Sequence, residues 1–143
     1  MVSMGGFDTH ANQLRDQPQL MARVAHAVGW FMGTRASQGL QNNVTLSRAG
    51  EFGRTMTSKG QGSDHGWGAN HFVVGVPVCS RQVYGRMPTL ELSTADDVGF
   101  GRLLLSAGVT PCAATMGRWM GLTETVMVLP NALQFSPGDL GFL

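Results

Sequence analysis

Two short stretches hold most of the side chains that can bind a metal or move a proton. "GGFDTH" places Asp8 and His10 one residue apart, and "GSDHGWGANH" adds Asp64, His65 and His71. Imidazole and carboxylate donors together suit zinc first, with manganese or iron as alternatives, whereas calcium and magnesium favour oxygen ligands. If Asp8 and His10 end a strand, the alternation of side chains puts both on one side, where they can share an ion. Asp64 and His65 are neighbours, so they reach one site only where the chain bends, and Gly62 and Gly66 allow bends. Asp8, His10, Asp64 and His65 are therefore expected within a few ångströms of one point, with His71 following at the start of the next strand. The competing reading is a polar, glycine-rich surface loop that binds nothing.

"AGEFGRT" supplies Glu51 and Arg54 just after a predicted strand, and in α/β sheets ligands collect beyond the carboxyl ends of strands. The Arg54 guanidinium can grip a phosphate or sulfate oxygen with a two-pronged hydrogen bond and steady developing charge. The plainer reading is a Glu51–Arg54 surface ion pair, which is worth little. Ser63 and Thr9 are local hydroxyl nucleophiles, so Glu51, Arg54 and Ser63 complete the candidate catalytic set.

The elements that must position these groups follow from periodicity. Residues 11–40 read as a helix with an apolar stripe of Leu20, Met21, Val24, Ala25, Val28, Phe31 and Met32; Pro18 suits a position near its first turn, and His26 lies beside the stripe. "NNVTLS", 42–47, reads as a short strand. Residues 50–70, with six glycines, read as a long loop. "HFVVGVPV", 71–78, reads as a buried strand, and 81–92 as an extended or hairpin segment broken at Gly85 and Pro88. Residues 112–122 read as a helix showing Ala113, Met116, Trp119 and Met120 on one face, with Gly121 as its stop. The alternation of strand and helix favours an α/β fold, a layered sheet with flanking helices, in one domain over 1–143. Val73, Val74, Val76 and Trp119 are expected inside it.

Composition narrows the function classes. A chain of 143 residues that is 43% hydrophobic and 13% charged is globular rather than disordered. A net charge of +1, with Lys59 as the single lysine, gives no basic surface for nucleic acid or an anionic membrane. There is no apolar run of about 18 residues to span a bilayer. The opening residues lack the charged-then-apolar layout of a signal peptide, so a cytoplasmic location is expected for the chain as it stands. Cys79 and Cys112 show no CxxC spacing and are expected to be reduced, buried and small, a disulfide being the alternative.

The phrases "GGFDTHANQ", "EFGRT", "GSDHGWGANHFVVG", "VYGRMP", "ADDVGFGRL", "AATMGRWMGL" and "PNALQFSPGDLGFL" resemble the C-terminal part of a large bacterial family of unknown function. That family is usually exported by the twin-arginine route and is similar in plan to the alkaline phosphatase, sulfatase and phosphoglycerate mutase superfamily. The resemblance covers nearly the whole chain. It implies an α/β fold around a two-metal ester hydrolase site. In that pattern Asp8 and His10 resemble ligands of one metal, and Glu51, Asp64, His65 and His71 resemble the acid and histidine ligands near the strand ends. The chain departs from the pattern at Gly50, where the family usually shows Ser. The resemblance also places one metal-binding acid and the Ser or Thr nucleophile in an N-terminal half that these residues do not include. A truncated domain of this kind is expected to rely on metal-activated water or a local hydroxyl, and a homo-oligomer can cover its open sheet edge.

The expected activity is a metal-dependent hydrolysis of phosphate, sulfate or related esters, with a small-molecule ester as partner. One alternative is a metal-free serine carboxylesterase, though no G-x-S-x-G elbow is present. Another is a non-catalytic fragment that keeps part of the family fold.

Overall fold

The computed structural model describes residues 1–79, 81–136 and 138–143 and shows a mixed α/β chain with helices and small antiparallel sheets. Helix α1 runs over Gln13–Ser37, close to the span that the apolar periodicity implies. Pro18 falls in its second turn, where the carbonyl left without a partner belongs to the exposed Leu14 and is open to water. Along the expected stripe, Leu20, Val24, Val28 and Met32 are half-buried, while Met21, Ala25 and Phe31 are exposed. The one buried residue of α1 is Arg35, whose Nη1 donates to the carbonyls of Gln41, at 2.8 Å, and of Val44. That clamp fixes the run that leads into the first strand.

Four strands follow: β1 (Leu46–Arg48), β2 (Gly53–Ser58), β3 (Ser63–Gly66) and β4 (Phe72–Val74). They form nested antiparallel ribbons. The inner one pairs Gly53 with Gly66 and Arg54 with His65; the outer one pairs Leu46 with Val74 and Arg48 with Phe72. No helix separates these strands, so no parallel crossover can form between them, and the expected layered sheet gives way to two-stranded pairs.

The stretch expected to be a long loop, 50–70, therefore contains a hairpin. Its signal was the run from Arg54 to Ser58, in which Thr55 and Thr57 alternate with other residues; Gly53 and Thr55 are buried, Arg54 between them is half-buried and Met56 is exposed. The glycine content misleads because these glycines serve close packing of backbone. A Cβ on Gly53 would lie 1.6 Å from the Gly68 carbonyl oxygen, and one on Gly66 would lie 2.7 Å from the Arg54 carbonyl. A tight turn closes the hairpin, with the Lys59 amide donating to the Gly62 carbonyl at 2.8 Å and Gly60 at φ +92°.

The strand expected over 71–78 is only three residues long. Val73 and Val74 are half-buried, but Val76 beyond it is 60% exposed, and Trp119 is also exposed at 37%. The interior shared by that strand and the second helix is therefore not formed as expected. Helix α2 covers Val109–Trp119 and turns Pro111, Ala114 and Thr115 inward instead of the anticipated Ala113, Met116, Trp119 and Met120 face. Gly121, at φ +91°, ends it as expected. The short helix α3 (Thr125–Val128) and a 3₁₀ turn (Pro130–Gln134) lead to the tail. Thr115 draws that tail onto α2: its hydroxyl accepts from the Leu140 amide at 2.9 Å and lies 2.9 Å from Asp139 Oδ1. Among the described residues, Phe142, Ala114 and Ala132 are the buried hydrophobic ones. The two cysteines are free thiols, Cys79 exposed and Cys112 half-buried, so they are reduced as expected but not core residues.

The accessible surface is 9786 Å², against roughly 7,100 Å² for a compact monomer of this mass. Local polar ties therefore hold much of the chain. Between residues 86 and 96, the Arg86 fork meets both oxygens of Asp96 at 2.8 and 2.5 Å, and the Thr89 amide adds a third donor at 2.9 Å. These donors, Arg86 first, hold the Asp96 carboxyl far below the usual carboxylate range.

A depressed carboxyl stabilises the fold above its unfolded value of 3.8 and loses that contribution as pH falls toward its folded value. Asp96→Asn should accordingly lower the urea midpoint more at pH 7 than at pH 3. An equal loss at both pH values would mean that the ion pair does not stabilise the fold. In the same assay Gly53→Ala should cost at least about 2 kcal/mol through the clash with Gly68. Gly29→Ala in α1, where a Cβ meets open space, should add about 0.5–1 kcal/mol.

Candidate metal centre

The site is built where the Phe7–His10 segment lies against the β2–β3 hairpin. That segment is a turn rather than the expected strand end, with the Thr9 amide donating to the Phe7 carbonyl at 2.9 Å. Arg54, on β2 and opposite His65, holds it in place. Its guanidinium donates to the Ser63 carbonyl at 2.6 Å, to Thr9 Oγ1 at 2.8 Å and to the Phe7 carbonyl. Gly62 permits the contact, since a Cβ there would sit 2.5 Å from the His10 carbonyl oxygen. The head of α1 is fastened to the same hairpin: Gln13 Oε1 accepts from the Ser63 amide at 2.8 Å and its hydroxyl at 3.0 Å.

This scaffold brings three ligand atoms together. Asp8 Oδ1 lies 2.8 Å from His10 Nε2 and 2.6 Å from His65 Nε2, and one donor atom from each residue falls within 4.8 Å of the other two. All three side chains are exposed. The two imidazoles stack with centroids 4.9 Å apart, and Phe52 stacks on His65 at 3.9 Å and 12°. Asp64 joins from outside the triad: its Oδ1 lies 3.3 Å from His10 Nδ1 and its Oδ2 lies 2.6 Å from Lys59 Nζ. The buried Thr55 hydroxyl receives the Asp64 amide at 3.1 Å and so sets its backbone.

The hydrogen bond with His65, helped by the charges of His10, His65 and Arg54, holds the Asp8 carboxyl below its ordinary value; burial opposes this. Lys59 and then His10 do the same for Asp64. Both acids are ionised at neutral pH, the form in which a carboxylate ligates metal.

The donor set fits a zinc-class ion. Bonds of about 2 Å place two ligands of one tetrahedral ion about 3.3 Å apart. The contacts of 2.6 and 2.8 Å around Asp8 Oδ1 are hydrogen-bond distances, so binding requires a local opening of about half an ångström. His10 stands between the two acids, with its Nε2 2.8 Å from Asp8 Oδ1 and its Nδ1 3.3 Å from Asp64 Oδ1.

The remaining predicted residues lie elsewhere. Glu51 and His71 stand on the wall of an adjoining cavity, and His71 Nε2 accepts weakly from the Gly50 amide at 3.5 Å. Ser63 is buried and commits its hydroxyl to Gln13, while Arg54 commits its donors to protein oxygens. Sequence reasoning overlooked Phe52, Lys59 and Gln13. Lys59 carried a signal as the chain's single lysine beside an acid-bearing stretch, whereas Gln13 had none.

A family model described as a protein of unknown function, DUF1501, matches residues 1–128, which include every residue of this site. No curated protein and no solved structure matches the chain.

Arg54 ligates nothing, yet both ligand-bearing segments depend on it. Arg54→Ala should weaken zinc binding about ten-fold or more, read by competition with a chromogenic chelator. Unchanged affinity would show that the cluster assembles without the arginine.

Proposed function

The chain belongs to the DUF1501 family of proteins of unknown function, and we propose that it is a metal-dependent hydrolase of phosphate, sulfate or related esters. The observation that carries this reading is the meeting of Asp8, His10 and His65. Asp8 and His65 are 57 positions apart in sequence, yet they share a hydrogen bond beside a second imidazole. Two of the chain's four histidines meet at one carboxylate here. When bound, a divalent ion supplies Lewis-acid polarisation of an ester and lowers the pKa of water to about 7.

The chain's own residues do the rest. Asp8, His10 and His65 hold the ion; Asp64 fixes the tautomer of His10; Lys59 holds Asp64 in place. Phe52 pins the His65 ring by stacking. Arg54 keeps the Phe7–Thr9 turn seated instead of meeting the substrate. Glu51 and His71, on the cavity wall, are the carboxylate and imidazole available for proton transfer. The resemblance to the alkaline phosphatase and sulfatase superfamily belongs to this proposal and is supported by the donor chemistry. So does a homo-oligomer, which the large accessible surface supports.

A metal-free serine esterase is less well supported, because the Ser63 hydroxyl is bonded to Gln13 and not to a histidine. As to location, no helix among the described residues is long and apolar enough to cross a membrane.

Elemental analysis of the purified protein should find a zinc-class metal, and EDTA should abolish turnover of chromogenic esters. His65→Ala should lose both metal and turnover, whereas His26→Ala, an exposed residue of α1, should lose neither. Equal metal content in the two variants would end this proposal.

A further inference from the structure

Beside the cluster lies a cavity of about 840 Å³, within the range typical of small-molecule sites. Phe52 belongs to both: it stacks on His65 at 3.9 Å and lines the cavity. Next to it on the wall stand Glu51 and His71; elsewhere the wall is mainly apolar, with Trp67, Phe72, Leu105 and Val109. Trp67 and Val109 are 74% and 64% exposed, so the surface they present is held open to water. An apolar side chain left in this way gains by meeting an apolar ligand.

We propose that the substrate is an anionic ester of a bulky apolar alcohol, its ester group at Asp8, His10 and His65 and its alkyl or aryl body in this cavity across Phe52. This rests on the metal-centre reading and names the substrate class for it. In the reaction, a water oxygen bonds to phosphorus or sulfur while the bond to the alcohol oxygen breaks. The alcohol leaves with a proton taken from that water. An apolar body held in the cavity contributes binding energy away from the reacting centre, which positions the ester.

The test uses phosphonates, whose phosphorus–carbon bond does not hydrolyse. The zinc-loaded chain is titrated by calorimetry with octylphosphonate and ethylphosphonate. Octylphosphonate should bind at least about ten-fold more tightly, because each buried methylene adds to the transfer gain. Val109→Glu should abolish that preference. This variant is chosen to fold, since position 109 opens α2, where a carboxylate is favourable. Removing zinc with EDTA should weaken both ligands. Equal binding of the two phosphonates by a zinc-bearing chain overturns the substrate class and leaves the metal reading intact. A preference that Val109→Glu does not change overturns the assignment to this cavity. Binding of both phosphonates that is unaltered by removing zinc overturns the link between cavity and cluster. Failure of the metal reading is seen separately, as absence of bound zinc.

Discussion

The guanidinium of Arg54 is the interaction on which the site depends. It is rigid and planar, and here its donors are divided among Phe7, Thr9 and Ser63. Those partners come from two segments more than forty residues apart, with separations of 45 and 47 positions for Thr9 and Phe7. The few buried hydrophobic residues, Ala114, Ala132 and Phe142, belong to α2, the 3₁₀ turn and the tail. They give the Phe7–His10 segment no hydrophobic anchor. A hydrogen bond to a charged donor contributes about 1.5–3 kcal/mol, and three of them replace what burial supplies elsewhere.

The same arrangement sets the charge of the centre. The two carboxylates Asp8 and Asp64 stand against the two cations Lys59 and Arg54, so these four side chains carry no net charge. Asp64 is already satisfied by Lys59 and His10, which leaves Asp8 as the single negative ligand. Were a divalent ion held there, as proposed, the centre would carry net positive charge and attract an anionic ester. Had Asp64 joined as a second carboxylate ligand, that attraction would be weaker. Lys59 therefore acts on the site through the acid it occupies.

Much of this was legible in the sequence, though unevenly. Helix α1 and the Gly121 stop of α2 follow from strong periodicity and a residue that tolerates positive φ. The expected meeting of Asp8, His10, Asp64 and His65 rested on two acid–histidine clusters in a chain with four histidines, and three of those four residues form the triad while Asp64 stands beside it. Three features were hidden. Gln13 and Arg54 act through hydrogen bonds to backbone, which leave no pattern in sequence. Apolar side chains such as Val76 and Trp119 imply an interior only if a second layer covers them, and in this chain they remain exposed. Alternation of strands and helices suggests layers, but the strands all fall within residues 46–74, too close together for crossovers.

The glycines of the site complete the argument, because their effect is opposite to the one first read from them. Six glycines in 50–70 suggest a long loop. In the structure, Gly53, Gly62 and Gly66 sit where a methyl group would strike the backbone of Gly68, His10 and Arg54. Such positions demand glycine for space, and they bring main chain against main chain more closely than any side chain allows. Close backbone contact is stiff, and a ligand set needs stiffness, since its donors must hold their positions to within about half an ångström. The segment read as a loop is therefore the frame that aims His65 at Asp8. The opening of about half an ångström that an ion needs must come instead from the exposed Asp8 and His10 side chains. Their turn is tethered by Arg54 but not embedded in a core, so it has the freedom to yield where the hairpin does not.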